Sequence, residues 1–480
     1  MDYILAFTQM FLCTGVVLSI LSFILYIVDY VACSVCVPII PLPIIGNTLF
    51  MSSDSSTILQ RLASMLHKHT QIKLYIPGKT LFGLRRWIFI NDAKSMEHIM
   101  KHNFNNYPKG DVMKDVFADL LGNGIFNTDG AMWKMHRKIS STIFTISSLH
   151  HYMTDVFTKH AETTVNSLKV NDCNIDIQKE FLKYTLHGIY EIGFGQDLKY
   201  TSSSDEFMNS FNLVQNNINK RFYVPGWRLL KRLNIGYEGT INGCLRTIDQ
   251  HINELIKSHK GHGKDLLSLF KSKADLSIKE QRDIITNFML AGRDTTAVLL
   301  TWSIYVITKY PYIKNRILEE FNEVDSFEYK KITSLRYLRG FFYEVLRFYP
   351  SVPINIKSVA GNDILPNKVR LYKDDVIVFM PYALGRTREV WGEDVDEFKP
   401  ERWIDTKHSA YKYMAFNAGY RTCLGQNMAL LESSIMLVKL LQNFDFKLTK
   451  PVVYNPQVIF SVKDGLYVDV INKNRKKKVL

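Results

Sequence analysis

The sequence predicts a mainly α fold with a smaller β-sheet region, preceded by an N-terminal transmembrane helix. Three observations carry that expectation. Residues 205–220, 239–259, 278–308, 333–348 and 425–443 place apolar side chains at helical spacing. Strand-like runs are few and short. Residues 3–28 contain no charged side chain, and roughly 20 apolar residues in a helix cross a bilayer core.

Composition bounds the answer. The chain has 480 residues, 46% hydrophobic and 22% charged, enough for a large core and unlike a disordered polymer. Length alone suggests about three domains, yet no long linker divides the sequence. The six cysteines (13, 33, 36, 173, 244 and 423) are scattered, and a reducing compartment suits them better than a disulfide framework. The net charge of +14 fits a solvated basic surface, contact with anionic lipid, or docking of an acidic electron donor. No basic motif is interleaved with aromatics in the way nucleic-acid binding requires, so that partner is excluded.

The elements follow in order. A cleaved signal peptide has a shorter apolar region and usually a basic start, whereas Asp2 precedes this run. Residues 1–36 are therefore expected to be an uncleaved membrane anchor. Prolines 38, 41 and 43 make residues 37–47 a stiff, irregular hinge. Residues 48–480 are expected to form the one large domain that follows. Residues 72–76 and 87–90 read as a small sheet about Pro77-Gly78. Tyr310-Pro311 ends the 278–308 helix, and Tyr349-Pro350 closes the 333–348 helix. Residues 375–384 read as a strand and 461–468 as a late hairpin.

Chemistry concentrates in Phe416-Asn-Ala-Gly419-Tyr-Arg421-Thr-Cys423-Leu-Gly425, which leads straight into the 425–443 helix. A cysteine thiolate there gains backbone N–H groups and the positive end of the helix dipole. Such a thiolate is a strong, electron-donating ligand for haem iron. Gly419 and Gly425 let the backbone approach the ring, Arg421 offers charge to a haem propionate, and Phe416 can shield the sulfur. A lone cysteine is usually a small buried hydrophobe, but five matching residues in ten positions outweigh that reading.

The segment resembles the Phe-x-x-Gly-x-Arg-x-Cys-x-Gly signature of the cytochrome P450 superfamily. The resemblance implies a cytochrome P450 fold, haem b as cofactor and Cys423 as the metal ligand. Further family signatures fall in order along the chain. Ala291-Gly-Arg-Asp294-Thr295-Thr296 lies mid-helix, where glycine and paired threonines are poor helix formers. That makes sense if the helix opens locally to admit dioxygen. The resemblance makes Asp294 and Thr295 the catalytic acid–alcohol pair. Glu344 and Arg347 share a helix face at i,i+3; with Arg402 the resemblance makes them a structural triad that braces the Cys loop. Trp133 and Arg137, at i,i+4, are the family's propionate contacts. Lys357 stands where many relatives carry arginine, and it supplies charge without a bidentate fork.

Residues 121–138, 221–238, 291–302 and 383–403 further resemble long-chain fatty-acid ω-hydroxylases. That implies hydroxylation of an apolar substrate with O2 and electrons from NADPH-cytochrome P450 reductase or an equivalent donor. Alkanes and sterols are alternative substrates. Lys220, Arg221, Arg228, Lys231 and Arg232 offer a carboxylate clamp or, more simply, a basic surface facing membrane lipid. The anchor implies a single-pass membrane protein, and the resemblance implies the endoplasmic reticulum membrane with a cytosolic catalytic domain. Lys477-Lys478 resembles a di-lysine retrieval signal. A haem-thiolate isomerase or dehydratase, or a haem sensor, has no need of the Asp294-Thr295 pair.

Overall fold

The helix expected over 278–308 is one rod in three parts. Ile278–Met289 is α-helical and starts at a reciprocal capping box between Ser277 and Glu280. Leu290–Asp294 widens into a π turn, and Thr295–Lys309 is α-helical again. Every residue from Thr296 to Ile307 is buried, so the last part is wrapped by other elements on all sides. Ile177–Phe194, Arg336–Phe348 and Gln426–Asn443 pack against it. Pro311 then opens the next helix, Pro311–Val324, at a position where its missing N–H has no role.

This computed structural model describes residues 36–473, apart from 43–44, 55, 79–83, 171–172, 197–201 and 261–264, and scattered positions between 10 and 24. The expected anchor lies almost wholly outside the described residues, and Lys477 and Lys478 lie outside them. Among the described residues, no helix is long and apolar enough to cross a membrane.

The other expected helices appear as Ser202–Ile218, Gly236–Ser258, Arg336–Phe348 and Gln426–Asn443. The early sheet is also present. Gln71–Pro77 pairs antiparallel with Leu84–Ile90. Leu84–Ile90 pairs in parallel with Val376–Phe379, and Asn355–Ser358 completes a four-stranded sheet. The described part of the 37–47 segment is irregular, as its prolines require, and it is docked. Asn47 donates to the Ile39 carbonyl at 3.1 Å and accepts from the Tyr75 N–H at 2.7 Å.

Two expectations change. Residues 375–384 are a strand only over Val376–Phe379; Pro381 then starts the short helix Pro381–Leu384, because proline cannot continue the ladder but suits a first helical turn. Residues 461–468 form no hairpin. Phe460–Val462 pairs with Tyr454–Pro456, whereas Tyr467–Asn472 joins a different sheet beside Phe444–Leu448. Asp464 and Gly465, both at positive φ, carry the chain between the two.

Candidate active site

The Cys loop is built by its own backbone. Cys423 donates its N–H to the Phe416 carbonyl at 2.8 Å, and Thr422 donates to Gly419 at 3.2 Å. Gly419 has φ +62°, and a Cβ there would stand 2.2 Å from the Met100 carbonyl oxygen. Its smallness therefore admits the neighbouring His98–His102 turn, a different close approach from the ring contact expected of it. Gly425 is the N-cap of the Gln426–Asn443 helix. The Cys423 side chain is accessible, yet protein crowds it enough that burial raises its thiol pKa, against the Gly425 N–H and the Arg137 charge. A thiol facing an internal cleft has both properties. The Gly425 N–H and Arg137 favour its thiolate form.

Arg137 donates to the Thr422 carbonyl at 2.8 Å, tying the Gly130–Ser141 helix to the Cys loop. Trp133, one turn earlier, is buried with the Arg421 guanidinium 4.5 Å from its ring centre. Arg421 donates to the Thr128 carbonyl at 2.8 Å and to Asp129 at 2.7 Å. Lys357, from the Asn355–Ser358 strand, is 1% exposed, and its Nζ has no hydrogen-bond partner. Burial, with Arg421 and Lys109 nearby, pushes its ammonium well below the usual lysine range.

Sequence reasoning missed Lys109 and Asp129. Burial and Arg421 hold the Lys109 ammonium down at about 8. Its signal was a single basic residue outside any motif. Asp129 also accepts from the Lys109 N–H at 2.9 Å and lies 3.2 Å from Lys114 Nζ. Arg421, Lys357, Lys109 and Arg137 thus converge with Asp129 as the carboxylate among them. Buried cations in surplus call for an anion. The two propionates of a haem would supply that charge, so the residues present fit the group.

The turn that carries Asp294 and Thr295, the expected acid–alcohol pair, lies on the central helix. Thr295 donates to the Ala291 carbonyl at 2.6 Å. Outside side chains take up carbonyls in and beside the π turn: Thr185 donates to Arg293 O at 2.8 Å and Ser351 to Thr295 O at 2.9 Å. Asp294 is buried, and burial raises its carboxyl pKa against the opposing effects of Arg293 and Gln215. Gly292 has a packing role: a Cβ there would meet Ile189 Cδ1 at 2.7 Å. Thr296, the next residue but one after Asp294, lies against Glu432 of the Gln426–Asn443 helix, so the turn and the helix behind Cys423 are packed together.

Glu344 and Arg347 have fully buried side chains joined at 2.7 and 2.8 Å. Glu344 also accepts from Trp403 Nε1 at 2.9 Å and the Lys399 N–H at 3.0 Å. Arg402 stands 3.6 Å from Glu344 and bonds more closely to Asp394, at 3.0 Å. Tyr343, next to Glu344, makes an edge contact with Phe416, which connects this network to the Cys loop.

Residues 37–466 match the family described as Cytochrome P450. The chain belongs to the cytochrome P450 family. Cytochromes P450 are monooxygenases that bind haem b and use O2, a redox partner and apolar substrates. This P450 is 32% identical over 456 residues to Cytochrome P450 704C1 of Pinus taeda, covering 84% of this chain and 88% of that one. It is 34% identical over 455 residues to Cytochrome P450 monooxygenase cyp1 of Mycosarcoma maydis, covering 85% and 69%. It is 32% identical over 445 residues to Alkane hydroxylase MAH1 of Arabidopsis thaliana, covering 84% and 87%.

Three of the five cations in the basic stretch are already paired with carboxylates. Arg221 pairs with Glu238 and Asp119, Arg228 with Asp115, and Lys231 with Asp119, at 2.6–2.8 Å.

Proposed function

We propose that this P450 hydroxylates long-chain fatty acids at the endoplasmic reticulum membrane, with electrons from an NADPH-dependent reductase. The observation that carries the oxygen-activating part is the buried Asp294 carboxyl, followed in sequence by the Thr295 hydroxyl, at the end of an opened helical turn. The similarity to an alkane hydroxylase supports an extended apolar substrate. The paired state of Arg221, Arg228 and Lys231 supports recognition through the apolar chain over recognition of the carboxylate.

Haem, when bound, would supply the oxygen-activating redox chemistry. Cys423 would be its thiolate ligand; the Gly425 N–H and Arg137 favour that form against the opposing effect of burial. Arg421, Lys357 and, beside them, Trp133 and Arg137 would hold the propionate side, with Phe416, Gly419 and Gly425 shaping the loop. Glu344, Arg347 and Arg402 brace that loop. Asp294 holds a proton more readily than an ordinary aspartate because it is buried. Thr295 spends its O–H on Ala291 O, which leaves its oxygen lone pairs to accept a hydrogen bond. Residues 1–36 anchor the chain, 37–47 form a proline-rich hinge, and 48–480 carry catalysis.

The test is turnover of the haem-loaded full chain with reductase and NADPH over fatty acids, alkanes and sterols, with products identified by mass spectrometry. Hydroxylated long-chain fatty acids are expected. Products from alkanes or sterols alone would overturn the substrate assignment. The reduced carbon monoxide complex should absorb at the thiolate position, and Cys423→His should move the band.

A further inference from the structure

Asp294 is gripped by a helix other than its own. Gln215, buried on Ser202–Ile218, donates from Nε2 to Asp294 Oδ2 at 3.1 Å. Arg293 Nη1 lies 3.1 Å from Asp294 Oδ1. The Arg293 guanidinium is in turn held by Asn212, whose Oδ1 accepts from Nη2 at 2.8 Å. Asn212 and Gln215 are i,i+3, so both amides leave one face of their helix and straddle the Arg293-Asp294 step. The Phe211 ring lies 5.6 Å from the same guanidinium.

The arrangement is chemically specific. Arg293 and Asp294 are both buried, yet their closest atoms are near without forming a well-aligned hydrogen bond, since Arg293 Nη1 and Nε have no hydrogen-bond partner. The directional bond to the carboxyl comes from Gln215. A neutral amide orients a carboxyl in both protonation states, because it donates to a carboxyl oxygen without demanding a charge. A second arginine would lock the anion instead.

We propose that Gln215 is a positioning residue for oxygen activation: its amide fixes the Asp294 carboxyl in the orientation from which protons are supplied to the site. The inference rests on Asp294 being the proton source. The groups acting on that carboxyl are Arg293 from its own turn and Gln215 from the 202–218 helix, both of which lower its proton affinity against burial. Tyr190, from the 177–194 helix, faces Arg293. Removing the Gln215 donor therefore raises the Asp294 proton affinity and frees the carboxyl to rotate.

The experiment is infrared spectroscopy of the haem-loaded full chain across pH, with the protonated Asp294 band assigned by its loss in Asp294→Asn. Gln215→Leu should move the midpoint of that band upward by about one pH unit and broaden it. Gln215→Glu, which keeps the side-chain length and adds a like charge, should also move it upward and serves if the leucine variant misfolds. In parallel, product formed per NADPH should fall several-fold in the Gln215 variants. An unmoved band with unchanged coupling in both variants overturns the inference. If Asp294→Asn itself leaves coupling intact, the proton-source reading fails first and the inference falls with it.

Discussion

Arg221 and Glu238 form a fully buried ion pair, joined at 2.8 Å through Nε and 2.6 Å through Nη2. The pair fastens the Asn219–Phe222 turn to the Gly236–Ser258 helix. Arg221→Met would leave Glu238 buried without its partner, an effect of about 3–5 kcal/mol. Arg221→Met with Glu238→Leu should recover most of that loss. Chemical denaturation of the three proteins measures it, and a double variant as unstable as Arg221→Met would contradict the account.

Gly292→Ala should destabilise by about 1–3 kcal/mol, because its Cβ meets Ile189 Cδ1 at 2.7 Å. The same change made in an Ile189→Ala background should be far milder. An equal effect in both backgrounds would show that the glycine serves the turn itself.

Lys357 separates folding from cofactor retention. Its Nζ is buried without a hydrogen bond, so Lys357→Met should stabilise the haem-free chain while speeding haem transfer to a scavenger protein. Slower transfer from the methionine variant would remove Lys357 from the propionate site.

Glu432 predicts a pH slope. Burial pushes its carboxyl well above the ordinary glutamate range, only partly offset by Thr296, and neither oxygen has a well-formed hydrogen bond. In the unfolded chain the group ionises near its ordinary value, 4.5. Above that pH the folded chain binds the extra proton, so this group's contribution to stability falls as pH rises. Glu432→Gln should flatten the fall and be the more stable protein at neutral pH. Denaturation midpoints of both proteins between pH 5 and 8 would decide it (a window of about three units above the ordinary value).

The Cys loop, the acid–alcohol turn and the Glu344–Arg347 pair were readable because each is local: its residues lie within ten positions of one another. Helical spacing likewise exposed the long helices, since the 3.6-residue period persists over many turns. Contacts between distant segments left no such trace. Nothing near Gly419 names Met100, and nothing near Gly292 names Ile189. The basic stretch read as a lipid-facing surface or a clamp because Asp115, Asp119 and Glu238, which pair with Arg221, Arg228 and Lys231, lie on other elements. Residues 461–468 looked like a hairpin because alternation shows a strand without showing its partner.

The parallel pairing of Trp87 with Val376 has a consequence for how the molecule is made. Leu84–Ile90 leaves the ribosome long before Val376–Phe379 exists, so one edge of the Gln71–Pro77 and Leu84–Ile90 pair waits open during most of synthesis. Such an edge is a template for pairing with another chain, and contacts of this sequence separation form slowly. A chain interrupted before Phe379 should therefore aggregate through the Leu84–Ile90 edge, and nascent copies crowded on one message would be the most exposed to it.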